Sequence, residues 1–299
     1  MRLPIVSRLA FALLLCATAT ARAQDYAAEI AQWRSERVGR LTAPDGWLSI
    51  IGLHWLQVGD NPVGSAEDNR VRLPAGPAYL GVVRLAADGQ ASFLAAPGSL
   101  ASVDGAAAGE HPIALSYGAG KPSLVAARNV SFFVIKRGEK IGLRVRDTES
   151  ARRTGFAGID YFEIDPSWRI EAQWVAFEQP RMIPITNVLG QTSPTPAPGK
   201  AVFTRDGRTF ELLPILDGGP NDPLFFILAD ETSGVETYEA SRFLYAAPPK
   251  DGKIILDFNR AQNPPCAFTP FATCPLPPKE NRLPIRVTAG EKLYRGEAH

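Results

Sequence analysis

The sequence predicts a mainly β protein in which an antiparallel β-sandwich packs with a second β-rich subdomain, after one N-terminal helix. Its 26 glycines and 26 prolines in 299 residues favour many turns and short strands over long helices. Apolar residues alternate with a period of two in most segments, and few segments keep a period of 3.6 residues. Apolar residues make up 45% of the chain and charged residues 21%, which is typical of a folded globular protein.

The first 23 residues have the pattern of a secretory signal peptide. Arg2 and Arg8 supply positive charge, Leu9–Cys16 is an apolar core, and Ala21-Arg22-Ala23 is a small-residue cleavage site. We therefore predict cleavage after Ala23 and a periplasmic or secreted location. The alternative is a retained membrane anchor, but this apolar run is shorter than the ~18 residues that a span requires. The sequence thus predicts no stable membrane anchor.

The charge balance excludes some classes of partner. The chain has a net charge of +1, and removing the three arginines of the leader lowers it to −2. A nearly neutral protein lacks the basic surface that nucleic acids and acidic membranes attract. We predict no nucleic-acid partner, and the sequence leaves a protein partner undetermined.

Residues 24–150 are predicted to form the N-terminal helix and the sandwich. Asp25 can cap a short helix that carries Ala27, Ile30 and Trp33 at helical spacing. Both alternating faces of Trp47–Leu56 are largely apolar, which predicts a strand inside the protein. Other predicted strands are Val71–Leu73, Tyr79–Leu85, Ala91–Leu94, Ala101–Val103, Ser131–Lys136 and Lys140–Asp147, with a hairpin turn at Arg137-Gly138-Glu139.

Residues 151–299 are predicted to form the β-rich C-terminal subdomain. Charge and glycine interrupt the apolar pattern at Asp147–Gly158, which places the boundary there. Gln191–Gly199 is rich in Pro, Thr and Ser and is predicted to be a loop. The predicted strands are Trp168–Phe177, Ala201–Thr204, Thr209–Leu213, Leu224–Ala229, Arg242–Ala246, Lys253–Phe258 and Leu283–Val287.

Three motifs together resemble one known family. They are Gly46–Leu56, Phe132–Gly138 and Asp257–Pro275, and the last contains Asn-Pro-Pro-Cys-Ala-Phe-Thr-Pro from Asn263 onwards. From about Trp33 to Lys292, the chain resembles the bacterial and archaeal family of unknown function DUF1684. That family brings no established activity, so the resemblance implies none.

Gly59–Gly105 also resembles the forkhead-associated sandwich. Gly64-Ser65, Asp68-Asn69, Val71–Pro74 and Val103–Gly105 follow one another in a similar order. Phosphothreonine readers of that type use an arginine after the glycine, whereas Ser65 stands here. The resemblance therefore implies the fold and not the phosphate-binding chemistry.

The Asp257–Asn281 segment is the strongest candidate for a binding site. Six prolines between positions 263 and 278 order the segment at low entropic cost. We predict that it builds a pocket for a small polar or anionic ligand, with Arg242 and Arg260 holding the ligand. The residues predicted to complete this pocket are Tyr238, Asp257, Asn259 and Asn263. The alternative is a loop that covers a sheet edge and whose polar groups bind main-chain atoms.

Cys266 and Cys274 are the cysteines that remain after export. Seven residues separate them, so a loop that doubles back can close a disulfide, and an oxidising compartment favours the bond. Closure would stabilise the protein by roughly 2–3 kcal/mol. We predict this disulfide. We predict no metal site, because the thiols lack C-x-x-C spacing and have no nearby histidine, and we predict no cofactor.

Two further functions stay open at this stage. The first is a hydrolase or transferase in which His54 or Asp257 is the base and Arg260 stabilises charge. A core histidine bonded to the main chain is the commoner role for a residue set among Leu48, Ile50 and Leu56. The second is an envelope scaffold that pairs with another protein and exposes an apolar patch. Whether the protein is an enzyme is left undecided.

Arg144 and Arg146 share one face of a predicted strand. They can clamp a carboxylate or phosphate, because arginine binds such groups with a planar fork. They can equally form a solvated face paired with Asp147 and Glu149, and the sequence favours this second interpretation.

Overall fold

A computed structural model describes the backbone of residues 5–118, 120–219 and 221–296, with side chains described from residue 24 onwards. As predicted, the chain is mainly β, with antiparallel sheets and one long N-terminal helix. Helix α1 is Ile5–Thr42 and helix α2 is Ala151–Thr154. The strands are β1 Ile50–Trp55, β2 Gly59–Gly64, β3 Val71–Arg72, β4 Gly81–Leu85, β5 Ala91–Ala95, β6 Ser102–Val103, β7 Ala106–Ala107, β8 Ile113–Leu115, β9 Leu124–Ala127, β10 Val130–Arg137, β11 Lys140–Asp147, β12 Arg169–Thr186, β13 Thr192–Arg205, β14 Arg208–Leu212, β15 Leu224–Asp230, β16 Arg242–Ala246, β17 Lys253–Asp257 and β18 Arg282–Leu283.

The N-terminal half is a two-sheet sandwich. One sheet has the order β1-β11-β10-β9-β6-β7 and the other β3-β2-β4-β5-β8. Side chains from both sheets meet in one core, where the rings of Phe93 and Phe132 pack edge to face at 5.8 Å. The predicted hairpin is confirmed, because Arg137 pairs with Lys140 across its turn.

The C-terminal half has its own core between two smaller sheets. Their strand orders are β14-β13-β12-β17 and β16-β15-β18. Strand β15 is buried along its whole length, which is why Leu224–Ala229 is an uninterrupted apolar run before Asp230. Phe258, Phe203 and Trp168 form an aromatic centre within this core.

The outer face of the β1-β11-β10 sheet meets the C-terminal half. Thr269 donates a hydrogen bond to the main-chain oxygen of Ile50 at 3.2 Å, so the Asp257–Asn281 segment is tied to the start of β1. Trp47 precedes β1 and packs into an apolar cluster that contains Cys266 and Cys274. Both faces of this sheet are therefore covered.

Helix α1 differs from its prediction at its start. It begins at Ile5, so Asp25 lies inside the helix and is not its cap. Its C-terminal half is bound to the rest of the chain through Arg37, whose Nε donates to Glu291 at 2.9 Å in a buried ion pair. The side chains of the predicted signal peptide lie outside the described residues. Among the described residues, no helix combines the length and the apolar character needed to cross a membrane.

The predicted loop at Gln191–Gly199 is instead part of strand β13. Pro194, Pro196 and Pro198 are spaced two apart, so all three place their missing N–H groups on one edge of the strand. Strand β12 pairs with the other edge over this stretch. The main-chain oxygen of Pro196 accepts from the amide of Leu216 instead. Proline is compatible with the strand because the ladder does not need those donors.

Candidate functional site

The structure places Arg242 in the core and not at a pocket. The side chain is 1% exposed, and its Nη2 donates to Asp230 Oδ2 at 2.5 Å and to the main-chain oxygen of Val287 at 2.9 Å. Its Nη1 donates to the main-chain oxygen of Ala289. These partners consume the donors that a ligand would need, which corrects the predicted role of Arg242 as a ligand clamp.

Asp257, Asn259 and Arg260 form a second structural network. Asp257 Oδ1 accepts from the Tyr26 hydroxyl at 2.7 Å and caps the turn that follows β17. Asn259 is fully buried, donates to the main-chain oxygen of Asp165 at 2.8 Å and accepts from that residue's amide at 3.0 Å. Arg260 pairs with Glu29 of helix α1. This network joins the helix to the C-terminal half. The main-chain contacts of Asp257 and Asn259 match the sequence-based alternative, whereas the side-chain contacts to Tyr26 and Glu29 were not predicted.

Asn263 makes a similar tie further along the segment. Its Nδ2 donates to the main-chain oxygen of Lys292 at 2.8 Å, and its amide donates to Glu291 Oε2 at 2.7 Å. Arg37 pairs with the same carboxylate. Arg242, Asn259 and Asn263 are thus bound mainly to main-chain atoms, so the structure does not gather them around one ligand.

The structure does not bring the two candidate bases together. His54 lies in β1 of the six-stranded sheet, opposite Leu143, whereas Asp257 ends β17 in the four-stranded sheet. Burial lowers the pKa of His54, which favours a neutral ring. Its Nε2 is buried without a hydrogen-bond partner. The geometry gives no support to a shared acid–base centre.

Two open clefts contain no distinctive set of chemical groups. One, of about 820 Å³, lies where residues 147–160 meet residues 293–296 and Phe271. Its charges have both signs, and Arg152 stacks on Phe271 at 5.7 Å. The other, of about 790 Å³, is lined by residues 94–110. Neither contains a buried charge that lacks a partner.

Arg144 is a buried charge that lacks a partner. It lies in the centre of β11 and is only 5% exposed, and its Nε and Nη2 are buried without any hydrogen-bond partner. Among the residues that the structure describes, it forms no ion pair within 4.0 Å. The interpretation of this face as solvated and paired with Asp147 and Glu149 is therefore wrong for Arg144. The face is covered by the C-terminal half.

Arg144 and five residues near it are called the Arg144 cluster below. They come from the outer face of the six-stranded sheet, from the turn before β1 and from the Asp257–Asn281 segment. The guanidinium carbon lies 5.0 Å from the centre of the ring that covers it, which belongs to Trp47. The members are Trp47, Arg137, Arg144, Cys266, Thr273 and Cys274.

The cluster is strongly positive. Arg137 Nε donates to Thr273 Oγ1 at 3.0 Å, so a second guanidinium is fixed beside the segment. Burial, together with the nearby charges of Arg137 and Arg146, lowers the pKa of Arg144 to about 10. Tyr238 packs against the same apolar residues, and burial raises its pKa to about 12. Tyr238, one of the predicted ligand residues, thus packs beside this site.

Cys266 and Cys274 face each other within the cluster as free thiols. The amide of Cys266 donates to Cys274 Sγ at 3.1 Å, and the amide of Cys274 donates to Cys266 Sγ at 3.3 Å. The loop doubles back as predicted, but no disulfide is present. Among the described residues, no group of three or more His, Cys, Asp and Glu side chains is placed to hold a metal ion.

One sequence signal indicates that this face is covered. Residues Val130–Lys136 are apolar on both alternating faces, with Phe132 and Val134 on one and Phe133 and Ile135 on the other. Arg144 pairs directly with Phe133, so it belongs to the second face. A strand that is apolar on both sides predicts burial on both sides. It does not indicate which segment covers the arginine.

Fold and cluster together define a mainly β protein with a buried, unpaired arginine beneath a cysteine-containing loop. Residues 154–292 match the family described as "Protein of unknown function (DUF1684)", and the chain belongs to this family. The predicted family is therefore confirmed. None of the curated proteins that were compared with the chain matches it.

Two solved structures show limited similarity. The first is a solution NMR structure of the uncharacterized protein from gene locus rrnAC0354 of Haloarcula marismortui, with 33% identity. The match covers 47% of this chain and 78% of that one, with a TM-score of 0.40. The second is the crystal structure of Rad53 1–466 in complex with AMP-PNP, with 9% identity. It covers 76% of this chain and 51% of that one, and its TM-score of 0.18 carries no structural argument.

Proposed function

We propose that this protein is exported and binds a small anion, a carboxylate or a phosphate, at the Arg144 cluster. One observation carries the proposal: Arg144 is almost completely buried, and two of its nitrogens have no partner. The Asp257–Asn281 segment supplies Cys266, Thr273 and Cys274 to this cluster, but the arginine comes from β11.

An unpaired buried charge is costly to the folded state. Removing a charged group from water costs several kcal/mol unless a partner compensates. Arg242 shows that this fold can supply such a partner from its own chain. An anion with two oxygens would satisfy both free nitrogens of Arg144 in a bidentate, charge-assisted geometry.

The surroundings of Arg144 suit a compact anion. Trp47 covers the guanidinium, and Arg137 supplies a second positive charge next to Thr273. Among the described residues, no carboxylate pairs with Arg144, and the ionisable groups that act on it are Arg137, Arg146, Cys266 and Cys274. Burial of Arg144 excludes a large ligand from direct contact, so we expect a ligand with one exposed carboxylate or phosphate group.

Binding can be tested with inorganic phosphate and with succinate on the mature protein. Calorimetry should give saturable binding, and phosphate at 100 times its Kd should stabilise the protein by about 2.7 kcal/mol. Arg144→Met should lose both effects. Arg146→Met is the matched control, because Arg146 lies on the same strand face, stacks on Phe133 and is less buried. Equal phosphate binding by wild type and Arg144→Met would overturn the proposal.

Export rests on the leader and has its own test. The full chain should be expressed in a Gram-negative host and the periplasmic fraction analysed by intact mass. We expect a chain that begins at Gln24, because Ala21-Arg22-Ala23 fits the cleavage rule. Replacing Ala23 with Asp should block processing. A full-length chain found in the cytoplasm in both cases would contradict export.

A further inference from the structure

Cys266 and Cys274 are held next to each other by reciprocal hydrogen bonds. Each sulfur accepts the main-chain amide of the other residue, at 3.1 and 3.3 Å. Cys266 is 9% exposed and Cys274 is 5% exposed, so both lie inside the protein. The prolines around them fix the loop in this doubled-back form.

We propose that Cys266 and Cys274 are oxidised to a disulfide in the exported protein and that this bond releases Arg144 for its anion. The second half of the statement rests on the proposed function, and the first half does not. The oxidant is a disulfide carrier, which is the chemical class that oxidises thiols outside the cytosol.

The exchange proceeds in two balanced steps. The Cys266 thiolate attacks one sulfur of the carrier disulfide, forms a mixed disulfide and displaces one carrier thiolate. Cys274 then loses its proton to that thiolate and attacks the Cys266 sulfur, which breaks the mixed disulfide and releases the second carrier thiolate. A proton from solvent completes the second carrier thiol. The two cysteines lose two electrons, and the carrier disulfide gains them.

Cys266 is the better attacking group of the pair. The hydrogen bond with Cys274 and the charge of Arg144 lower the pKa of Cys266. The hydrogen bond with Cys266 and burial raise the pKa of Cys274. Exchange takes place in the folded chain when the segment moves far enough from the sheet for the carrier to reach Cys266, which is the less buried of the two residues. The bond then holds the loop that presents Thr273 to Arg137.

The link to Arg144 is electrostatic. The two cysteines pack against Trp47, whose ring covers Arg144, so a negative charge on the reduced Cys266 would compete with an external anion. A disulfide carries no charge, so oxidation leaves the guanidinium free. We expect the oxidised protein to bind phosphate about tenfold more tightly than the reduced protein at a pH at which Cys266 is ionised.

The bond itself is tested without any ligand. Mature protein is purified from the periplasm without reductant, unfolded, and treated with iodoacetamide before and after reduction. We expect alkylation of neither cysteine before reduction and of both afterwards, and a Tm higher by about 5–10 °C than that of Cys266→Ala/Cys274→Ala. Alkylation of both thiols before reduction would overturn the disulfide.

The coupling is tested by measuring phosphate binding to oxidised protein and to protein that was reduced, refolded and kept under reductant. Cys266→Ala/Cys274→Ala is the matched control, because it lacks both the bond and the thiolate and should bind like the oxidised form. If the disulfide forms but the oxidised and reduced proteins bind phosphate equally tightly, the coupling is overturned. A disulfide in a protein that binds no phosphate would leave the bond established and refute the proposed function.

Discussion

Arg242 and Arg144 are both buried strand arginines, and they differ in what surrounds their guanidinium groups. Arg242 has a carboxylate and two main-chain oxygens within hydrogen-bond distance, and only its Nε lacks a partner. Arg144 has an aromatic ring, a second arginine nearby and two free nitrogens. The same residue type thus serves the fold in one place and is left uncompensated in the other.

This difference separates residues that hold the structure from residues available to a ligand. A charge that the chain itself neutralises has few donors left to offer a ligand. A charge that the chain leaves unpaired lowers stability, and a bound anion can recover that loss. The comparison therefore makes opposite predictions for the two arginines.

Arg242→Met should give the largest effect. The substitution leaves Asp230 buried without its cation, so the free energy of unfolding should fall by about 3–5 kcal/mol. Urea denaturation of the mature protein measures this. A loss below about 1 kcal/mol would show that Arg242 is not a structural tie, and the contrast with Arg144 would fail.

In the absence of ligand, Arg144→Met should not destabilise the protein. Methionine fills a similar volume without a buried charge, so the free energy of unfolding should stay equal or rise by about 1–2 kcal/mol. The same denaturation series provides the measurement. A loss comparable to that of Arg242→Met would mean that Arg144 has a stabilising partner.

Thr273→Asp should convert the Arg144 cluster into a paired site. A carboxylate at this position would face Arg137 and lie near Arg144, so we expect a gain of about 1 kcal/mol and loss of phosphate-induced stabilisation. Thr273→Asn is the control, because it has nearly the same shape and no charge. If phosphate still stabilises the Asp variant as it does the Asn variant, the anion does not bind at this cluster.

His54 should give the smallest effect, through pH. Its folded-state pKa lies below the unfolded value of 6.5 because burial disfavours the charged ring. The unfolded chain therefore binds the proton first, and the contribution to stability is lost as the pH falls from 6.5 through the folded-state pKa. We expect a loss of less than about 1 kcal/mol, absent in His54→Gln, in denaturation curves recorded between pH 7.5 and pH 5. His111→Gln, an exposed control, should retain the wild-type dependence.

The fold could be predicted largely because its signals are local. Short apolar runs identified β10 and β15, β11 followed as the second strand of a hairpin, and the turn at Gly138 joined β10 to β11. The proline-rich part of β13 could not be identified in this way. Proline content predicts a loop unless it is known which edge of the strand is paired. Here β12 pairs with the edge that does not need the missing N–H groups of the prolines.

The site could be predicted only in part, because burial depends on distant contacts. The Asp257–Asn281 segment and its cysteines were identified from composition, and they do line the Arg144 cluster. Arg242 was assigned to a ligand because its partner, Asp230, is the last residue of a different strand, β15. Arg144 was interpreted as solvated because the loop that covers it lies more than 120 residues later in the chain. The spacing of residues in the sequence does not show which charged residues pair between strands.

The three alternating prolines of β13 have a consequence for association between molecules. An unpaired strand edge usually offers a row of amide donors on which a second chain can add a strand. Here positions 194, 196 and 198 offer none on the edge away from β12. The long hairpin can thus stay extended in a crowded compartment without nucleating edge-to-edge aggregates, and replacing these prolines would remove that protection.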